Sequence, residues 1–579
     1  MKRLLTYIRP HIGIMGVGLA IKFLASMMDL VIPSILEKII DDVVPQRDVP
    51  LVFLWGGVMV FCALLSITGN ITANRMAATS AGKVTKALRH DLFARVSGLS
   101  ARQTDAFTIP SLVSRLTSDT YHVNEMVSRV QRLGVRGPIL LIGGILITLT
   151  MDPVLTLVLV GTLPFIFLAV YLVTRYSVPL YTGCQSVLDR MVRTVQENVT
   201  GVRVIKALSK TDYEKKRFDN VNQELSDAEQ RASAVMAITN PTTTLILNLG
   251  LCAVVLVGAV RVNAGGTQPG AIIAFLSYFT MILNAMLGIT RIFTLCARGV
   301  ASAARIQEVL DAPEDMEPQP LPSLETAAKI TFDHVSFSYH KREENLRDLN
   351  FSLLPGQTLG VLGTTGSGKS TLVQLLIRFY DPDQGAIYID NRNIRSMDRE
   401  TLCSKFGMAF QSDFWMADTI RANVDFGRGL SDAPIRRALE HAQAAEFVDG
   451  LGEGWNHCLT VRGTNLSGGQ KQRLLIARAL AGDPEILILD DASSALDYRT
   501  DAALRRCLRQ KYPHTTKVII AQRISAIRHA DLILVLDDGK VVGQGTHQEL
   551  MERCPMYALI AEHQMPDGAE GGAKVAESL

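Results

Sequence analysis

Two short stretches carry residues able to handle phosphate. GTTGSGKS, Gly363 to Ser370, follows the apolar run TLGVLG and precedes TLVQLLIRF. A glycine-rich turn between strand and helix lets backbone N–H groups close around a phosphate, and the helix N-terminus favours the anion. Lys369 would reach the outer phosphates, and the Ser370 hydroxyl would ligate Mg²⁺. The second stretch, ILILDDASSALD (Ile486–Asp497), ends an apolar run in two adjacent carboxylates, Asp490 and Asp491. Such a run would set acidic oxygens at the end of a strand.

Those residues need elements to hold them, and the chain of 579 residues is long enough for several domains. Hydrophobic residues are 48% and charged residues 20%, which suggests membrane spans, while a net charge of +3 is too small to imply a nucleic-acid partner. The eight cysteines lack CxxC or Cys/His spacing and read as reduced thiols. Apolar stretches of spanning length lie near 12–36, 51–70, 133–150, 154–171, 241–260 and 272–292. The first has a basic head but no small-residue cleavage site, so it reads as an uncleaved span rather than a signal peptide. The third and fourth are separated only by MDP (151–153), a tight hairpin. Lys and Arg number eight in 75–130 and ten in 175–231, while the other three loops hold Lys38, Arg47 and Arg261. The termini and both basic loops are therefore expected in the cytoplasm. Apolar spacing of three and four predicts that these loops are helices continuing out of the membrane. Lys22 and Asp29, seven residues apart inside the first apolar stretch, share a helix face. They either line a pathway or face water or a neighbouring helix.

The expected division is a membrane domain over 1–310, a Pro- and acid-rich linker over 311–328, an α/β domain over 329–564 and a disordered tail over 565–579. Within 330–550 the motif order resembles the nucleotide-binding domain of an ABC transporter. Gly363, Thr364, Thr365, Gly366, Ser367, Gly368, Lys369, Ser370 and the following Thr371 match the phosphate loop. Tyr339 in VSFSY matches the aromatic that stacks on adenine, and Gln411 in AFQSD the glutamine that approaches Mg²⁺ and the attacking water. LSGGQ, Leu466 through Ser467, Gly468 and Gly469 to Gln470, matches the signature that caps ATP on the opposite subunit. Asp490 matches the magnesium-strand Asp, and Asp497 closes the SALD of the D-loop. The six-span half is similar to the exporter type of membrane domain. The resemblance thus implies an all-α six-helix membrane domain fused to a cytosolic P-loop ATPase domain. ATP and Mg²⁺ are the implied cofactors, with Ser370, Gln411 and Asp490 around the metal. It also implies two short docking helices, expected near TIPSLVS (108–114) and LSKTDYEKK (208–216).

Three positions depart from the family pattern. Asp491 stands where a Glu polarises the attacking water, Gln522 in VIIAQRIS where a switch His sits, and Val461 where an acidic residue precedes the signature. A carboxylate withdrawn by one methylene shifts on the order of 1 Å, enough to cost about a hundredfold. Gln can donate a hydrogen bond but cannot carry a proton or positive charge. The resemblance then implies a site that binds ATP and hydrolyses it weakly, with an intact signature serving another subunit. It points to one half of a heterodimeric multidrug-type exporter of amphipathic molecules in a bacterial plasma membrane, with both termini and the ATPase domain cytoplasmic. The alternatives are a homodimeric exporter of lipid or peptide and an ATP-sensing regulatory membrane subunit. An importer is disfavoured because its ATPase is usually a separate chain. A soluble ATPase acting on nucleic acid is contradicted by the six spans. A leader-peptide processor is not expected, since no peptidase-like domain precedes the first span.

Overall fold

Apolar runs long enough to cross a bilayer become helices, because only a helix or a closed barrel satisfies every backbone group in hydrocarbon. The computed structural model describes residues 2–339, 341, 343–411 and 414–564; the expected tail at 565–579 lies outside them. Among the described residues six helices are long and apolar enough to span: Arg3–Gln46, Val49–Ser97, Ile109–Met151, Pro153–Thr200, Thr211–Asn263 and Pro269–Ile289. The sixth continues as a helix to Leu310. Val49–Ser97 has 49 residues, which at about 1.5 Å each makes it more than twice the ~30 Å hydrocarbon thickness. The basic segments are therefore extensions of these helices. Phe53, Leu157 and Leu256 point outward, as they do where lipid is the solvent.

The hairpin between the third and fourth helices turns on Asp152, which is 1% exposed. Its carboxylate accepts from the Val154 and Leu155 N–H groups at 2.8 and 3.2 Å and from the Arg261 guanidinium at 3.1 Å. One side chain thus caps the fourth helix and ties it to the fifth. Asp152→Ala is expected to destabilise the membrane unit by about 2 kcal/mol, the sum of a lost N-cap and a lost, partly buried ion pair. Asp152→Asn keeps the cap and should lose less. Thermal unfolding in detergent measures both.

The chain divides into two units, residues 1–98 with 109–312, and residues 99–108 with 313 onward. The stretch 108–114, where a docking helix is expected, holds Thr108 and the helix Ile109–Ser114. The short helix Ala101–Phe107 stands apart and belongs with the second unit, while Ile109–Ser114 belongs to the first. Ser100 starts the short helix with a capping box, and Thr108, at φ 63°, breaks it from the next. Ser100 donates to Asp315 at 2.6 Å, and the Tyr380 hydroxyl donates to Asp105. Around 208–216 the chain turns between Val202–Ala207 and Thr211–Ala237.

In the second unit two sheets form. The antiparallel one pairs β1 (Ile330–Phe337) with β2 (Leu346–Leu353) and with β4 (Gln384–Ile389), which β5 (Arg392–Asn393) extends. The other runs in the order β10 (Lys540–Gly545), β9 (Leu532–Asp537), β3 (Thr358–Gly363), β8 (Thr516–Ile520), β7 (Ile486–Asp490), β6 (Phe406–Ala409). All its pairs are parallel except β9 with β10. β7 is buried at every position, which explains its unbroken apolar run.

Candidate functional site

Four parallel neighbours, β3, β8, β7 and β6, end at one edge of their sheet. Ligands bind beyond the carboxyl ends of such strands. From these ends the chain runs into Gly363–Ser370, Gln522, Asp490–Asp491 and Gln411, bringing together residues far apart in sequence. Thr365, Gly366, Gly368, Lys369, Ser370, Thr371, Gln411, Asp490, Asp491 and Gln522 line one cavity of about 230 Å³, with Asn345 at its wall.

The loop after β3 needs glycine where it bends. Gly368 has φ +99°, and an added Cβ would lie 2.6 Å from Leu346 Cδ2 and 2.9 Å from the Asn345 carbonyl. Behind it opens the helix Lys369–Leu376. Lys369 Nζ donates to the carbonyls of Gly363 and Thr364 at 2.9 and 2.7 Å. The Ser367 hydroxyl is buried with no hydrogen-bond partner among the described residues. A glycine cradle, an orphaned hydroxyl and an ammonium at a helix start together fit a phosphate chain. Beside the cavity the Tyr339 hydroxyl bonds Gln374 at 2.5 Å and Thr371 at 3.2 Å. Its ring meets Tyr380 edge-on at 5.1 Å and is 37% exposed, so it is available for stacking.

Opposite the loop, Ser370 hydrogen-bonds Asp490. Burial pushes the Asp490 carboxyl above the usual carboxylate range, against the Ser370 bond, and Asp491 adds to the rise. Burial likewise raises Asp491, against Lys369 and Arg523. The same burial lowers the Lys369 ammonium, against both carboxylates. The cavity thus holds two acids that favour a cation beside them. The Ser370 hydroxyl, Asp490 and Gln411 supply the oxygen donors that Mg²⁺ takes. Asp491 sits at φ 50°, a left-handed conformation that Asp tolerates better than most residues. Its N–H donates to the Ile520 carbonyl at 3.0 Å, and its carboxylate accepts from Gln522 Nε2 at 3.4 Å. The two departures from the family pattern therefore face each other.

Two residues that sequence reasoning passed over hold this wall. Gln472 donates to Ser494 Oγ at 2.9 Å and accepts from the Ala495 N–H at 2.8 Å, fixing the turn after β7. Gln564 donates to the Gln522 carbonyl at 2.9 Å and accepts from the Ile524 N–H at 2.8 Å, clasping the turn after β8. Gln472 stood two places after Gln470; nothing in the sequence marked Gln564. Gln564→Ala is expected to lower ATP turnover at this site threefold to tenfold with ATP affinity nearly unchanged. Gln564→Glu, which keeps only the acceptor, should fall between. Turnover and nucleotide titration on the same samples separate these effects.

Ser467, Gly468, Gly469, Gln470 and Asp497 do not line the cavity. Ser467 and Gln470 form a capping box that opens the helix Gly468–Leu480, and Leu466 beneath is 9% exposed. Asp497 caps the helix Tyr498–Lys511 through the Thr500 N–H at 2.9 Å and hydroxyl at 2.8 Å. The signature is thus a helix N-terminus presented outward, suited to an anion held elsewhere.

Family profiles described as ABC transporter transmembrane region and ABC transporter match residues 15–286 and 346–494. The uncharacterized ABC transporter ATP-binding protein YfiB of Bacillus subtilis is 35% identical over 573 residues, 99% of each chain. A fatty acid ABC transporter ATP-binding/permease protein of Mycobacterium tuberculosis is 34% identical over 479 residues, 81% of this chain and 75% of that protein. The solved structure of a bacterial Atm1-family ABC exporter with ATP bound matches with a TM-score of 0.80 at 25% identity, covering 98% of this chain and 99% of that one.

Proposed function

Because this chain belongs to the ABC transporter family, as a multi-pass half-transporter of the exporter type with its ATPase domain on the same polypeptide, we propose that it is one subunit of a heterodimeric exporter of amphipathic molecules. Exporters of this family work as dimers in the membrane. The observation that carries the asymmetric reading is the facing pair Asp491 and Gln522, 3.4 Å apart, beside an undamaged signature helix. In this reading the chain's own site holds ATP firmly and hydrolyses it slowly, while its signature completes the partner's site.

Each residue has a task in that scheme. The loop Gly363–Ser370 and Lys369 bind the phosphates. Tyr339 stacks on the base. Ser370, Asp490 and Gln411 would hold Mg²⁺, which when bound would neutralise charge on the phosphates. Asp491 orients water from too far back, and Gln522 can donate a hydrogen bond but no proton. ATP held between two such domains favours the closed pair, and that differential affinity drives the membrane helices. The membrane domain spans 1–310, the linker 311–328 and the ATPase domain 329–564. The proposed location is a bacterial plasma membrane, with the termini and ATPase domain cytoplasmic as the Lys and Arg bias supports.

Amphipathic cargo is supported by an apolar groove of about 560 Å³ between the fourth and fifth helices, walled by Phe165, Leu168, Leu172, Ile246 and Leu249. The fatty acid relative favours a lipid-like molecule as the second reading. The test is a gentle pull-down of the tagged chain from its native membrane with mass spectrometry. A different half-transporter with Glu and His at the matching positions is the expected companion. Recovery of this chain alone, turning over ATP rapidly, would refute the asymmetric pair.

A further inference from the structure

Three cations and one carboxylate meet inside the membrane unit. Lys22 on the first helix is 3% exposed, and its ammonium donates to Asn70 Oδ1 at 2.7 Å and Asn74 Oδ1 at 3.1 Å on the second helix. Asn70 donates to Ser66 Oγ at 3.1 Å, and Ser66 donates to Asp29. Asp29 in turn pairs with Arg136 of the third helix at 3.0 Å. Arg132, one turn before Arg136, has no hydrogen-bond or ion-pair partner among the described residues, and its Nε is buried, as is that of Arg136. Both guanidiniums repel the Lys22 ammonium. Arg136 begins a helix of 16 residues ending at Met151, so it lies about 24 Å from the outer end, within the hydrocarbon level.

The charge does not balance. Asp29 offsets Arg136, Lys22 has only neutral amides, and Arg132 has nothing. Arg132, four residues before Arg136 and about 30 Å from the outer end, lies at the inner edge of the hydrocarbon, where an unpaired guanidinium is costly unless it faces water, a wet cavity or an anion. The network joins the first, second and third helices, which pack on one another, and Arg136 keeps 40% of its side chain exposed, so the guanidinium end of the cluster is reachable, with Lys22 buried behind it. A purely structural cross-link would use Asp29 with Arg136 and Lys22 with Asn70 and Asn74; it gives no use for Arg132.

We propose that Lys22, Arg132 and Arg136 form a head-group site that selects an anionic amphiphile, a carboxylate, sulfonate or phosphate on an apolar tail, as the exported molecule. This rests on the exporter reading above. A guanidinium fork suits such oxyanions better than a point charge does, and Asp29 keeps Arg136 oriented toward them.

The assembled complex, in phosphatidylcholine vesicles with the ATPase domains outward, tests the inference. Three fluorescent probes are followed for ATP-dependent uptake: a single chain with a carboxylate head, the same chain with a trimethylammonium head, and a phosphatidylglycerol analogue. Faster uptake of the carboxylate probe is expected, and preference for the phosphatidylglycerol analogue would assign the same site to an anionic phospholipid. Arg132→Gln, which breaks no hydrogen bond or ion pair among the described residues, should lower the anionic-to-cationic uptake ratio about tenfold, and Arg132→Lys should keep most of it. Equal or faster uptake of the trimethylammonium probe by the unaltered complex, or an unchanged ratio in Arg132→Gln, would overturn the site while leaving export intact. ATP hydrolysis with uptake of none of the probes would overturn the export reading, and this inference with it.

Discussion

Asp491→Glu combined with Gln522→His should raise ATP turnover at this chain's own site by about a hundredfold, with ATP affinity little changed. The strand β7 fixes Asp490 and the Ile520 carbonyl holds the Asp491 N–H, so the longer side chain adds reach into the cavity rather than shifting its root. An advance on the order of 1 Å toward the attacking water carries a factor of that size. The imidazole adds a group able to hold positive charge beside the terminal phosphate, where Gln522 now offers only an amide. Either change alone should give less, because the two side chains contact each other and act as a unit. A local cost accompanies the gain. Position 491 is left-handed, at φ 50°, and Glu tolerates that region less well than Asp, so the variant should be slightly less stable. The measurement is single-turnover hydrolysis in complexes whose partner site has been inactivated. A rate that stays at the wild-type value would mean that the slow step lies elsewhere and that the site is not chemically degenerate.

Gly468→Asp should have the opposite reach. It leaves this chain's cavity untouched yet is expected to cut turnover by the whole complex by a hundredfold or more. Gly468 is the first residue of the signature helix and is exposed. An added Cβ there would find only Ala495 Cβ, at an ordinary 3.6 Å, so the fold accepts the change. The carboxylate, however, would occupy the helix N-terminus where an anion is otherwise favoured and would repel phosphate. Photolabelling of this chain by an azido-ATP should persist, because Lys369 and Gly368 remain. Lys369→Ala should give the reverse pattern, with labelling lost and much of the turnover kept. If Gly468→Asp left turnover intact, the signature would not complete a catalytic site on a partner.

What the sequence made legible follows from locality. The phosphate loop is contiguous, and glycine, lysine and serine at fixed offsets carry its geometry. The six helices were legible because a bilayer forbids most alternatives. Asp490 and Asp491 were visible as the abrupt end of an apolar strand. Contacts made by folding were not. Lys22 and Asp29 were noticed as a pair on one face, but Asp29 is tied to Arg136, 107 positions away, and Lys22 to Asn70 and Asn74. No spacing rule reaches that far. Gln564 sits 42 positions from Gln522 in a helix whose composition is unremarkable. The separate short helix Ala101–Phe107 was not legible, because the break after it, at Thr108, is a positive-φ turn on a residue that gives no such signal. The outward signature and the inward cavity were both inferred as motifs, and only the sheet order explains why one chain holds them apart.

The place of β3 in that order also has a consequence for the chain while it is being made. β3 carries the phosphate loop and lies between β8 and β9, yet its last residue is Gly363 and β8 begins only at Thr516. At roughly 5–20 residues per second, the ribosome needs about 8–30 s to supply the missing neighbour. Through that interval Leu359, Val361 and Leu362, almost wholly buried in the finished domain, have both strand edges unpaired. The nascent domain is then open to edge-to-edge association, and the helices before it are already committed to the membrane. Codon choice between 364 and 516, or a holding chaperone, should therefore govern yield more strongly here than in any other part of the chain.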